Sequence, residues 1–599
     1  MKSSSNLRIT HWLTGLVALV TLVIVGCGGA EAPTAAPAGP TPTVVNVIPE
    51  VPAIQSTAAP QGDATKAVPA ATEVPAAVVS GKDTLRFVSN EEPGTLGFSN
   101  NLCLGNIQST ICEEMIGEPF TWIDTKSFEV VPLSHIESWE QITPDRWRFN
   151  LRDGVKFHNG VPWDADQGKF WLDFGGDEET AGNAGANNFG FHGVIGGEVV
   201  DPMTLDITCG KNCPILPRTL IFTKVMEVGW WKGADEDERA ANNVGLGPYK
   251  LVEWRRGISV ELEAYEDYKP NKAHDAQAPS IPHVIQLWRT ETLVRAAMLQ
   301  AGEADWAEIS LDDRDRVPQF KVGTNNEAYI FVMDTVHHPE LRKIEVREAL
   351  NLATDCQTLM TEIFDNLFKC FGHMAQTGTE GITPENSADY GYDPDRAREL
   401  LKIANYDPAN KIILHMRNQR IPKDTEYGEA VVTFWKEVGI NAELQIVEAS
   451  VHTSIGRSNC GHGRTKSDFE AAAGTTLLEK CLSLGPGKPN FSSMHLTAPA
   501  TSTESLDFAS RQGRLRLSCY GRSSGVCDDK LQAMIDLAIG TDTGPLRVER
   551  NIAVADYVYD NFLIHPNFIN VAIYGMSADL EWRPYYSPRI RANTMKFTK

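Results

Sequence analysis

The segment GRSSG at residues 521–525 has the spacing of a covalent catalyst. It matches GxSxG, the nucleophile elbow of α/β-hydrolases, and Asp556 and His565 follow in the chain order of that catalytic triad. A buried apolar strand should lead into such a serine, and the preceding RLRLSCY does not have that character. Cys519 and Cys527 also bracket the motif as a predicted disulfide loop. A serine hydrolase, lipid-anchored if the N-terminus is as described below, therefore stays an alternative of a different functional class.

Cysteines are the other reactive groups. The chain has 11, and setting Cys27 aside leaves ten, an even number that falls into neighbouring pairs. In an exported chain this pattern predicts local disulfides. The predicted pairs are Cys103 with Cys112, Cys209 with Cys213, Cys356 with Cys370, Cys460 with Cys481, and Cys519 with Cys527. The sequence lacks doubled CxxC, Cys/His or HExxH spacing, so we expect neither a metal site nor a cofactor.

The first 27 residues have the features of an export signal. Lys2 and Arg8 precede an uncharged apolar run over residues 12–26, which is short for a membrane span but suits a secretory signal. The run ends in Ile-Val-Gly-Cys27, which resembles the bacterial lipobox, where the cysteine is lipidated and becomes the mature N-terminus. We expect lipidation of Cys27 and anchoring at the extracytoplasmic face of the cell membrane, in the periplasm or at the cell surface.

Residues 28–80 are predicted to be a disordered tether. They consist mainly of Ala, Pro, Thr and Val, so they cannot bury a core that offsets the entropy of ordering them. Such a tether would reach about 40 Å as a flexible coil and roughly 150 Å as extended polyproline.

The remainder of about 520 residues is larger than one hydrophobic core usually supports, so two or more domains or lobes are expected. The formal net charge of -23 and the pI near 5.1 argue against nucleic acid or anionic lipid as the main partner.

Two βαβ patterns lie far apart, at residues 283–309 and 411–447. In the first, Thr290 caps a helix that Gly302 ends, between the strands VIQLW and ADWAEI. In the second, Gly439 ends a helix between KIILHM and INAELQIV. Each unit implies a parallel strand pair with a helix on one face. We therefore predict an α/β fold with two lobes and a ligand cleft between them.

Residues 151–173, LRDGVKFHNGVPWDADQGKFWLD, follow the alternating strand RWRFNL. The dipeptides DG at 153–154 and NG at 159–160 predict turns around a short strand. Asp164 and Gln167 have capping-box spacing at the start of a helix. Elsewhere we expect helices over 344–364, 394–404 with Asp393 as the cap, and 531–539, a strand over 562–573, and disulfide-stapled loops over 450–527.

Eight landmarks occur in a fixed order along the chain. They are the lipobox with its tether, EEPGTL (91–96), VVPLSHIESWE (130–140), the 151–173 segment, GLGPYKLVEW (245–254), LVRAAMLQAGEADWAEI (293–309), VREALNLATD (346–355) and YDPDRARELL (392–401). In this order they resemble the extracellular solute-binding protein family 5, the peptide, dipeptide and nickel class of ABC-importer receptors. The resemblance covers residues 83–450, with further similarity over 528–575.

The resemblance implies a two-lobed type II periplasmic-binding-protein fold of the α/β class, with an extra subdomain inserted in the first lobe. Mapped onto this chain, the first lobe comprises 81–120, 199–325 and 559–599, the inserted subdomain 121–198, and the second lobe 326–558. It also implies a monomeric receptor without catalytic activity. Such a receptor closes over a small ligand, most simply a peptide, and presents it to the permease of an ABC importer. An oligosaccharide or a metal chelate is the alternative ligand.

The ligand-binding residues that this fold implies are those at strand ends facing the cleft. The predicted set is Asn100, Asn101 and Trp122 from the first lobe and Asp334, Thr335 and His373 from the second. Family members often carry a second-lobe aspartate for a peptide's amino terminus, and here the corresponding region, 490–508, offers Asp507. The usual Asn-Thr strand end is Asp334-Thr335 in this chain, and the usual LDP is LGF at 96–98.

Overall fold

We describe the fold from a computed structural model of the chain. The described residues are 83–96, 111–124, 127, 129–176, 193–274, 276–376, 378–417, 421, 423–456, 460, 469, 474–485, 494–497, 506–521, 523–584 and 590–598. The predicted signal peptide, the predicted lipidation site Cys27, the tether, the candidate ligand residues Asn100 and Asn101, and Cys103 of the predicted Cys103–Cys112 pair lie outside this part of the chain.

The described strands form one sheet of 11 strands, one sheet of four strands and two two-stranded ribbons. The strands are β1 (Thr84–Ser89), β2 (Thr121–Ile123), β3 (Val130–Pro132), β4 (Ile136–Thr143), β5 (Arg146–Leu151), β6 (Val194–Asp201), β7 (Thr204–Cys209), β8 (Tyr249–Arg255), β9 (Ser259–Ala264), β10 (His283–Trp288), β11 (Trp306–Glu308), β12 (Gln319–Met333), β13 (Lys369–Cys370), β14 (Ile412–Arg417), β15 (Ala442–Val447), β16 (Met494–Thr497), β17 (Ile564–Met576), β18 (Leu580–Glu581) and β19 (Lys596–Phe597).

Helices cover the sheets and connect their strands. The α-helices are α1 (Ala165–Gly176), α2 (Leu216–Thr219), α3 (Val228–Gly233), α4 (Glu236–Ala241), α5 (Thr292–Ala301), α6 (Ile344–Leu352), α7 (Cys356–Glu362), α8 (Pro394–Ile403), α9 (Asp424–Glu437), α10 (Ala449–Gly456), α11 (Leu477–Leu484), α12 (Asp529–Ile539) and α13 (Pro545–Asp560). Two segments are π-helical, Ile111–Ile116 and Ala509–Leu517, and three are 3₁₀-helical, Leu220–Phe222, Leu311–Arg316 and Ala592–Thr594.

The long sheet passes through both lobes of the molecule. Its strand order is β15-β14-β16-β12-β17-β11-β1-β10-β9-β8, and β13 also pairs with β17. We call the half with β1 and β8–β11, together with the four-stranded sheet, the first lobe, and the half with β14–β16 the second lobe. Strands β12 and β17 belong to both lobes.

Strands β12 and β17 form the link between the lobes. Residues 319–324 of β12 pair with 571–576 of β17, which in turn pairs with β11 of the first lobe. Residues 328–332 of β12 pair with 564–569 of β17, and β12 there also pairs with β16 of the second lobe. The register shifts between Thr324 and Ala328, so a bulge separates the two halves of this ribbon.

Both predicted βαβ units are present, one in each lobe. In the second lobe, β14 and β15 are direct parallel neighbours, and α9 connects them before Gly439 adopts a φ of 97°. In the first lobe, β10 and β11 each pair in parallel with β1, which lies between them. Gly302 ends α5 at a φ of 72° as predicted, but Glu291 rather than Thr290 occupies the N-cap position, without a side-chain hydrogen bond.

The 151–173 segment folds largely as its pattern predicts. Gly154 and Gly160 have φ values of 70° and 85°, and the amide of Phe157 donates to the carbonyl of Val161 over 2.8 Å. The short strand consists of a single bridge between Lys156 and Pro162. The carboxylate of Asp164 caps α1 by accepting from the amide of Gln167 over 3.0 Å. The predicted capping box is not completed in this way, because the Gln167 side chain accepts from the amide of Val228 instead.

The four-stranded sheet, in the order β4-β5-β7-β6, lies beyond these turns. Strand β6 runs through residue 198, the predicted end of the inserted subdomain, and pairs with β7, so the sheet continues to Cys209. The predicted domain boundaries stay predictions.

The predicted helix over 344–364 is two helices, α6 and α7. Asp355 is the N-cap of α7, because its carboxylate accepts from the amide of Thr358. The region 450–527, expected as loops, contains α11, β16 and a π-helical segment.

Four of the five predicted disulfides lie within the described residues, and all four form as predicted. They join Cys209 to Cys213, Cys356 to Cys370, Cys460 to Cys481, and Cys519 to Cys527. Three of the four are in the second lobe. The last two contribute to one buried cluster with Val336 and Phe469, so these staples pack against each other beneath the loops of that lobe.

Candidate functional site

The two lobes meet at an ion pair that is far apart in sequence. The guanidinium of Arg218 in the first lobe lies 2.8 Å from the carboxylate of Glu380 in the second, 162 residues along the chain. The same guanidinium donates to the carbonyl oxygen of Leu506 over 3.3 Å. Both side chains are partly exposed, at 31% and 14%. The described structure is therefore a form in which the lobes touch.

Helix α2 holds Arg218 at the face of the first lobe. Pro217 lies in the first turn, where its fixed φ and missing N–H suit a helix start. The hydroxyl of Thr121 on β2 donates to the carbonyl of Pro217 over 2.6 Å, and the hydroxyl of Thr219 donates to Leu216 over 2.6 Å. Leu216, Pro217 and Thr219 are buried, so the helix presents Arg218 outward from a fixed base.

A buried polar network holds Glu380 in the second lobe. The second oxygen of its carboxylate accepts from the side-chain amide of Asn551 over 3.1 Å. The backbone of Glu380 bonds to Leu506 and Phe508 on either side of Asp507. Asp507 is itself bound by Arg547 at 2.7 Å, and both are almost fully buried. The network thus fixes the carboxylate of Asp507 inside the second lobe and directs the carboxylate of Glu380 toward Arg218.

Leu506 makes the apolar part of the contact between the lobes. Its side chain, 6% exposed, is clustered with Ile123 and Ile221 of the first lobe, and Val130 packs against them. Leu506 has a φ of 52°, a left-handed conformation that is rare for a branched residue. Strain of this kind persists only where surrounding contacts enforce it and is concentrated at functional sites. Such contacts are the packing against Ile123 and Ile221 and the hydrogen bonds that the carbonyl of Leu506 accepts from Glu380 and Arg218.

A second polar contact between the lobes lies at the disulfide loop 209–213. The side-chain amide of Asn212 donates to the carbonyl of Gly540 and to the carboxylate of Asp542, each over 3.2 Å. Residues of the 211–219 stretch and of the π-helical segment line a cavity of about 40 Å³ here, which is room for a few water molecules in this form. The candidate site is thus the space between α2 and the π-helical segment, closed by contacts on two sides.

The structure places the predicted ligand residue Trp122 within the first lobe. Its ring, 4% exposed, packs with Leu133, Ala273 and Ala276, and the guanidinium of Arg591 lies 5.4 Å from the ring centroid. The next residue, Ile123, is the one that contacts the second lobe. Because neighbouring strand residues point to opposite faces, strand β2 divides these two roles between them.

The predicted residues Asp334 and Thr335 follow the end of β12. The carboxylate of Asp334 is 1% exposed and accepts from the amides of Val336 and His337 over 3.0 and 2.9 Å. The hydroxyl of Thr335 donates to the carbonyl of Gly525 over 3.0 Å. These contacts hold the turn after β12 and fix the 519–527 disulfide loop to it.

His373, the last predicted ligand residue, is buried in the second lobe. Its ring lies 4.9 Å from the ring of Phe508, and Nε2 is 3.3 Å from the carbonyl of Ala555. Burial lowers the pKa of His373 to about 4, so the ring is neutral at physiological pH. Trp122 therefore lies in one lobe, and Asp334, Thr335 and His373 lie in the other. Each of them contacts different neighbours within its own lobe. The ligand roles of all six residues stay predictions.

Asp507, the candidate for a peptide's amino terminus, already has a partner. Burial alone would raise the pKa of Asp507, but the guanidinium of Arg547 and hydrogen bonds from Ser510 lower it below its usual value. Its charge is balanced within the second lobe. Arg218, Glu380 and Leu506 are the contact residues that sequence reasoning missed. A pattern within one segment cannot reveal a pair separated by 162 residues, although the region 490–508, singled out for Asp507, contains Leu506.

The GxSxG motif lacks the setting of a nucleophile elbow. A π-helical segment, Ala509–Leu517, precedes it in place of a strand. His565 bonds to the hydroxyl of Thr354 at 3.0 Å, and Asp556 accepts from Asn386 over 2.8 Å. A Cβ at Gly525 would lie 2.1 Å from the carbonyl oxygen of Met333, so this glycine allows close packing of the disulfide loop. This packing accounts for Gly525 of the motif.

In the described part of the chain, three or more His, Cys, Asp or Glu side chains are nowhere grouped so that they could hold a metal ion. Its helices include none with the length and apolar character needed to cross a membrane.

Solved structures of other proteins superpose on most of this chain. The ABC transporter substrate-binding protein CtaP from Listeria monocytogenes superposes with a TM-score of 0.69 at 19% identity, covering 86% of this chain and 99% of that one. The putative peptide-binding protein AppA from Clostridium difficile gives 0.69 at 15% identity, covering 86% and 100%. NikZ from Campylobacter jejuni, in complex with Ni(L-His), gives 0.62 at 16%, covering 86% and 100%. The fold is thus the predicted type II periplasmic-binding-protein fold.

Sequence comparison gives the family. The glutathione-binding protein GsiB of Shigella boydii serotype 4 is 26% identical over 325 residues, 50% of this chain, and the chain spans 57% of the length of that relative. GsiB of Escherichia coli O157:H7 matches over the same shares of both chains. The model of bacterial extracellular solute-binding proteins, family 5 Middle, matches residues 130–473, more than half of the chain. The protein belongs to the family 5 solute-binding proteins of ABC importers.

Proposed function

We propose that this chain is a membrane-anchored receptor that captures a small peptide between its lobes and delivers it to an ABC importer. The observation that carries the proposal is the pair of strands β12 and β17, which join two lobes whose facing surfaces touch through Arg218, Glu380 and Leu506. A two-strand link with a bulge permits rotation of the lobes, and the facing contacts define the closed position.

Ligand binding would shift the balance between open and closed forms. The contacts at Arg218 and Leu506 exist only when the lobes meet, and a ligand held by both lobes adds contacts that the open form lacks. A ligand changes this equilibrium only by its difference in affinity for the two forms. The closed form is then the signal that a permease recognises.

A peptide is the ligand class that the relatives favour. The GsiB proteins are named for glutathione, and they are similar to half of this chain. NikZ, whose structure contains Ni(L-His), makes a metal chelate the principal alternative, and an oligosaccharide is the third class. The paired carboxylate of Asp507 argues against recognition of a peptide amino terminus by that residue. Recognition of the amino terminus then needs another group.

The test is a ligand screen on the purified chain without its first 27 residues. Di- and tripeptides including glutathione, Ni(L-His) complexes and oligosaccharides are compared by thermal unfolding, and native mass spectrometry identifies any co-purified solute. A ligand at 100 times its dissociation constant should stabilise the folded chain by about 2.7 kcal/mol. Stabilisation by peptides alone supports the proposal. Stabilisation by chelates or sugars alone reassigns the ligand, and none from any class contradicts a receptor role.

A matched assay addresses the hydrolase alternative. The wild-type chain and a Ser523→Ala variant are incubated with ester and peptide substrates. We expect no turnover from either. Hydrolysis that disappears in Ser523→Ala would establish the enzyme instead. Export and anchoring are tested separately by metabolic labelling with a fatty acid, which should depend on Cys27.

A further inference from the structure

The ribbon formed by β12 and β17 has a different set of contacts on each of its faces. Ile330 and Val332 of β12 belong to a buried cluster that includes Phe508, two residues after Leu506. The contacts of Leu506 and Glu380 with the first lobe therefore lie on the side of this face, which we call the cleft face. The intervening side chains of β12 point to the opposite face, which we call the back face.

On the back face, a core cluster of the second lobe continues into a cluster of the first. Phe331 of β12 belongs to the second-lobe cluster, and Ile573 of β17 belongs to the cluster beneath α5 of the first lobe. Val571 and Leu367 pack against both clusters. Leu367 is not part of the ribbon, because it lies in the loop between α7 and β13. A loop of the second lobe therefore reaches the core of the first lobe behind the ribbon.

An ion pair joins the same loop to the first lobe. Arg314 lies in the 3₁₀-helical segment after β11, and a nitrogen of its guanidinium group is 2.6 Å from the carboxylate of Asp365. Leu311 of that segment packs against the same first-lobe cluster as Leu367. The two charged side chains are 43% and 60% exposed, so the pair adds little to stability. It does fix which part of the first lobe the loop faces.

The second lobe holds this loop in a strained conformation. Asp365 and Asn366 have φ values of 52° and 57°, in the left-handed region that few residues other than glycine adopt. The amide of Asn366 donates to the carbonyl of Met360 over 2.9 Å, and its side-chain oxygen accepts from the hydroxyl of Thr361 over 3.0 Å. The disulfide Cys356–Cys370 encloses the loop. Strain of this kind persists only where surrounding contacts enforce it, so the loop is a firm support.

We propose that the loop 365–367 is a stop behind the ribbon that limits how far the two lobes open. The inference rests on the lobe rotation that the proposed receptor function requires. A bend of the ribbon that separates the contacts on the cleft face brings the surfaces on the back face together. Leu367 already packs against the cluster beneath α5 while the cleft-face contacts are formed. Opening presses Leu367 further into that cluster, and close-packed interiors resist compression.

A limit on opening has a consequence for ligand affinity. The stop reduces the number of open conformations that the ligand-free receptor visits. Closure then loses less conformational entropy, and a larger part of the interaction with the ligand is expressed as affinity. The stop acts on the open form alone, so it raises affinity without a contact to the ligand.

The experiment measures the radius of gyration of the ligand-free protein by small-angle X-ray scattering. Arg218→Glu places a carboxylate opposite Glu380, and the like charges should drive the lobes apart and increase the radius. Addition of Leu367→Ala removes most of the side chain that forms the stop, and the radius should increase further. Addition of Leu367→Trp instead enlarges the stop, and the radius should fall below that of Arg218→Glu alone.

The matched control is Arg218→Glu/Leu352→Ala. Leu352 is half-buried against the same second-lobe cluster as Leu367, but among the described residues it is not one that packs against the cluster beneath α5. The control should have the radius of Arg218→Glu. Circular dichroism verifies that each variant is folded, and if Leu367→Ala fails to fold, the comparison with Leu367→Trp decides alone.

The possible results separate the stop from the receptor function. Equal radii for Arg218→Glu with and without the changes at Leu367 overturn the stop and leave the receptor function intact. An equal increase from Leu352→Ala assigns the effect to general loosening of the second lobe, which also overturns the stop. If Arg218→Glu itself has the radius of the wild type, the lobes do not separate, and both the stop and the proposed lobe rotation are refuted.

Discussion

Two buried ion networks, one in each lobe, differ in where they end. In the first lobe, Arg591 lies 3.2 Å from Glu114 and 3.3 Å from Glu118, and Lys224 lies 4.0 Å from Glu114. All four side chains are at most 1% exposed. In the second lobe, the Asp507–Arg547 pair continues through Asn551 to Glu380 and from there across to Arg218. The first network is enclosed within its lobe, and the second reaches the opposite lobe.

The enclosed network connects distant parts of the first lobe. Arg591 lies near the C-terminal end of the chain, and its partners Glu114 and Glu118 are more than 470 residues away. The hydroxyl of Tyr268 donates to Glu118 over 2.9 Å, and the hydroxyl of Ser134 also donates to that carboxylate. Burial raises the pKa of Glu118, and the charge of Arg591 opposes this change. Such a network sets stability, whereas a network that reaches across the lobes sets their relative position.

Removal of the central cation should give the largest effect. In Arg591→Met the carboxylates of Glu114 and Glu118 lose their main counter-charge, and we expect a loss of about 3–5 kcal/mol in the free energy of unfolding. Urea denaturation measures it. The charge-conserving Arg591→Lys should lose clearly less. Ligand affinity of the folded fraction should not change, and a loss in unfolding free energy below about 1 kcal/mol would contradict the assignment.

Acidification should have the next largest effect on stability, through the buried histidine His135. Neither ring nitrogen of His135, enclosed by Phe120 and Trp163, has a hydrogen-bonding partner among the described residues, and burial lowers its pKa to about 3. The unfolded chain takes up this proton below its ordinary pKa near 6.5, and the folded chain does not until about pH 3. Stability is therefore full above the ordinary pKa and falls with pH, by about 2 kcal/mol at pH 5 for one such group.

The variant His135→Phe isolates this contribution. Its free energy of unfolding, compared with the wild type at pH 7 and pH 5, should show a smaller decrease on acidification by about 2 kcal/mol. Equal decreases in both chains would refute the prediction. Because His135 lies in the first lobe away from the facing surfaces, its substitution should leave the closed form unaffected.

Loss of the apolar contact between the lobes should weaken binding. Leu506→Ala removes most of the side chain that is buried against Ile123 and Ile221 only when the lobes meet. We expect about tenfold weaker affinity for the solute found in the screen, since burying a leucine contributes roughly 1.5–3 kcal/mol and part of it is regained by relaxation. Titration calorimetry measures this. Leu537→Ala, at an exposed leucine of α12, is the matched control and should bind normally.

Breaking the ion pair between the lobes should have the smallest effect. Arg218→Met removes the contact with Glu380, and because both groups are partly exposed we expect only about three- to fivefold weaker binding, or roughly 0.5–1 kcal/mol. Small-angle X-ray scattering of the ligand-free protein should show a larger radius of gyration. Glu380→Gln should behave similarly. An unchanged radius in both variants would show that the pair does not hold the lobes together.

Elements with local signals were predicted well from the sequence. The alternating RWRFNL is β5, with Trp147, Phe149 and Leu151 buried, and Asp393 caps α8 by accepting from the amide of Arg396. Glycines that end helices and the four described disulfides were also found. Each strand, cap and helix end was predicted from residues within a few positions of one another. The disulfides were predicted from the even number of cysteines and their neighbouring positions.

Elements without such signals were missed. Helix α13 is absent from the sequence-based expectations, although Pro545 in its first turn was an available signal. Its buried face includes Arg547 and Asn551, whose partners lie at positions 380 and 507. The contact between the lobes shares this property. Arg218 lies in a helix of four residues and Glu380 in an isolated bridge, and only the folded chain shows that they are opposite each other.

The short sequence separation of the described disulfides affects how the chain would fold under the export that we propose. The four described bridges span 4, 14, 21 and 8 residues. Eight cysteines allow about 105 connectivities, but each thiol here finds its partner within the stretch that emerges with it. Short loops close at low entropic cost, so nearest-neighbour oxidation during translocation selects the native pairing. The second lobe, which contains three of the four described bridges, can thus form its disulfides before β17 pairs with it, and under the proposed export the chain should need little disulfide isomerase.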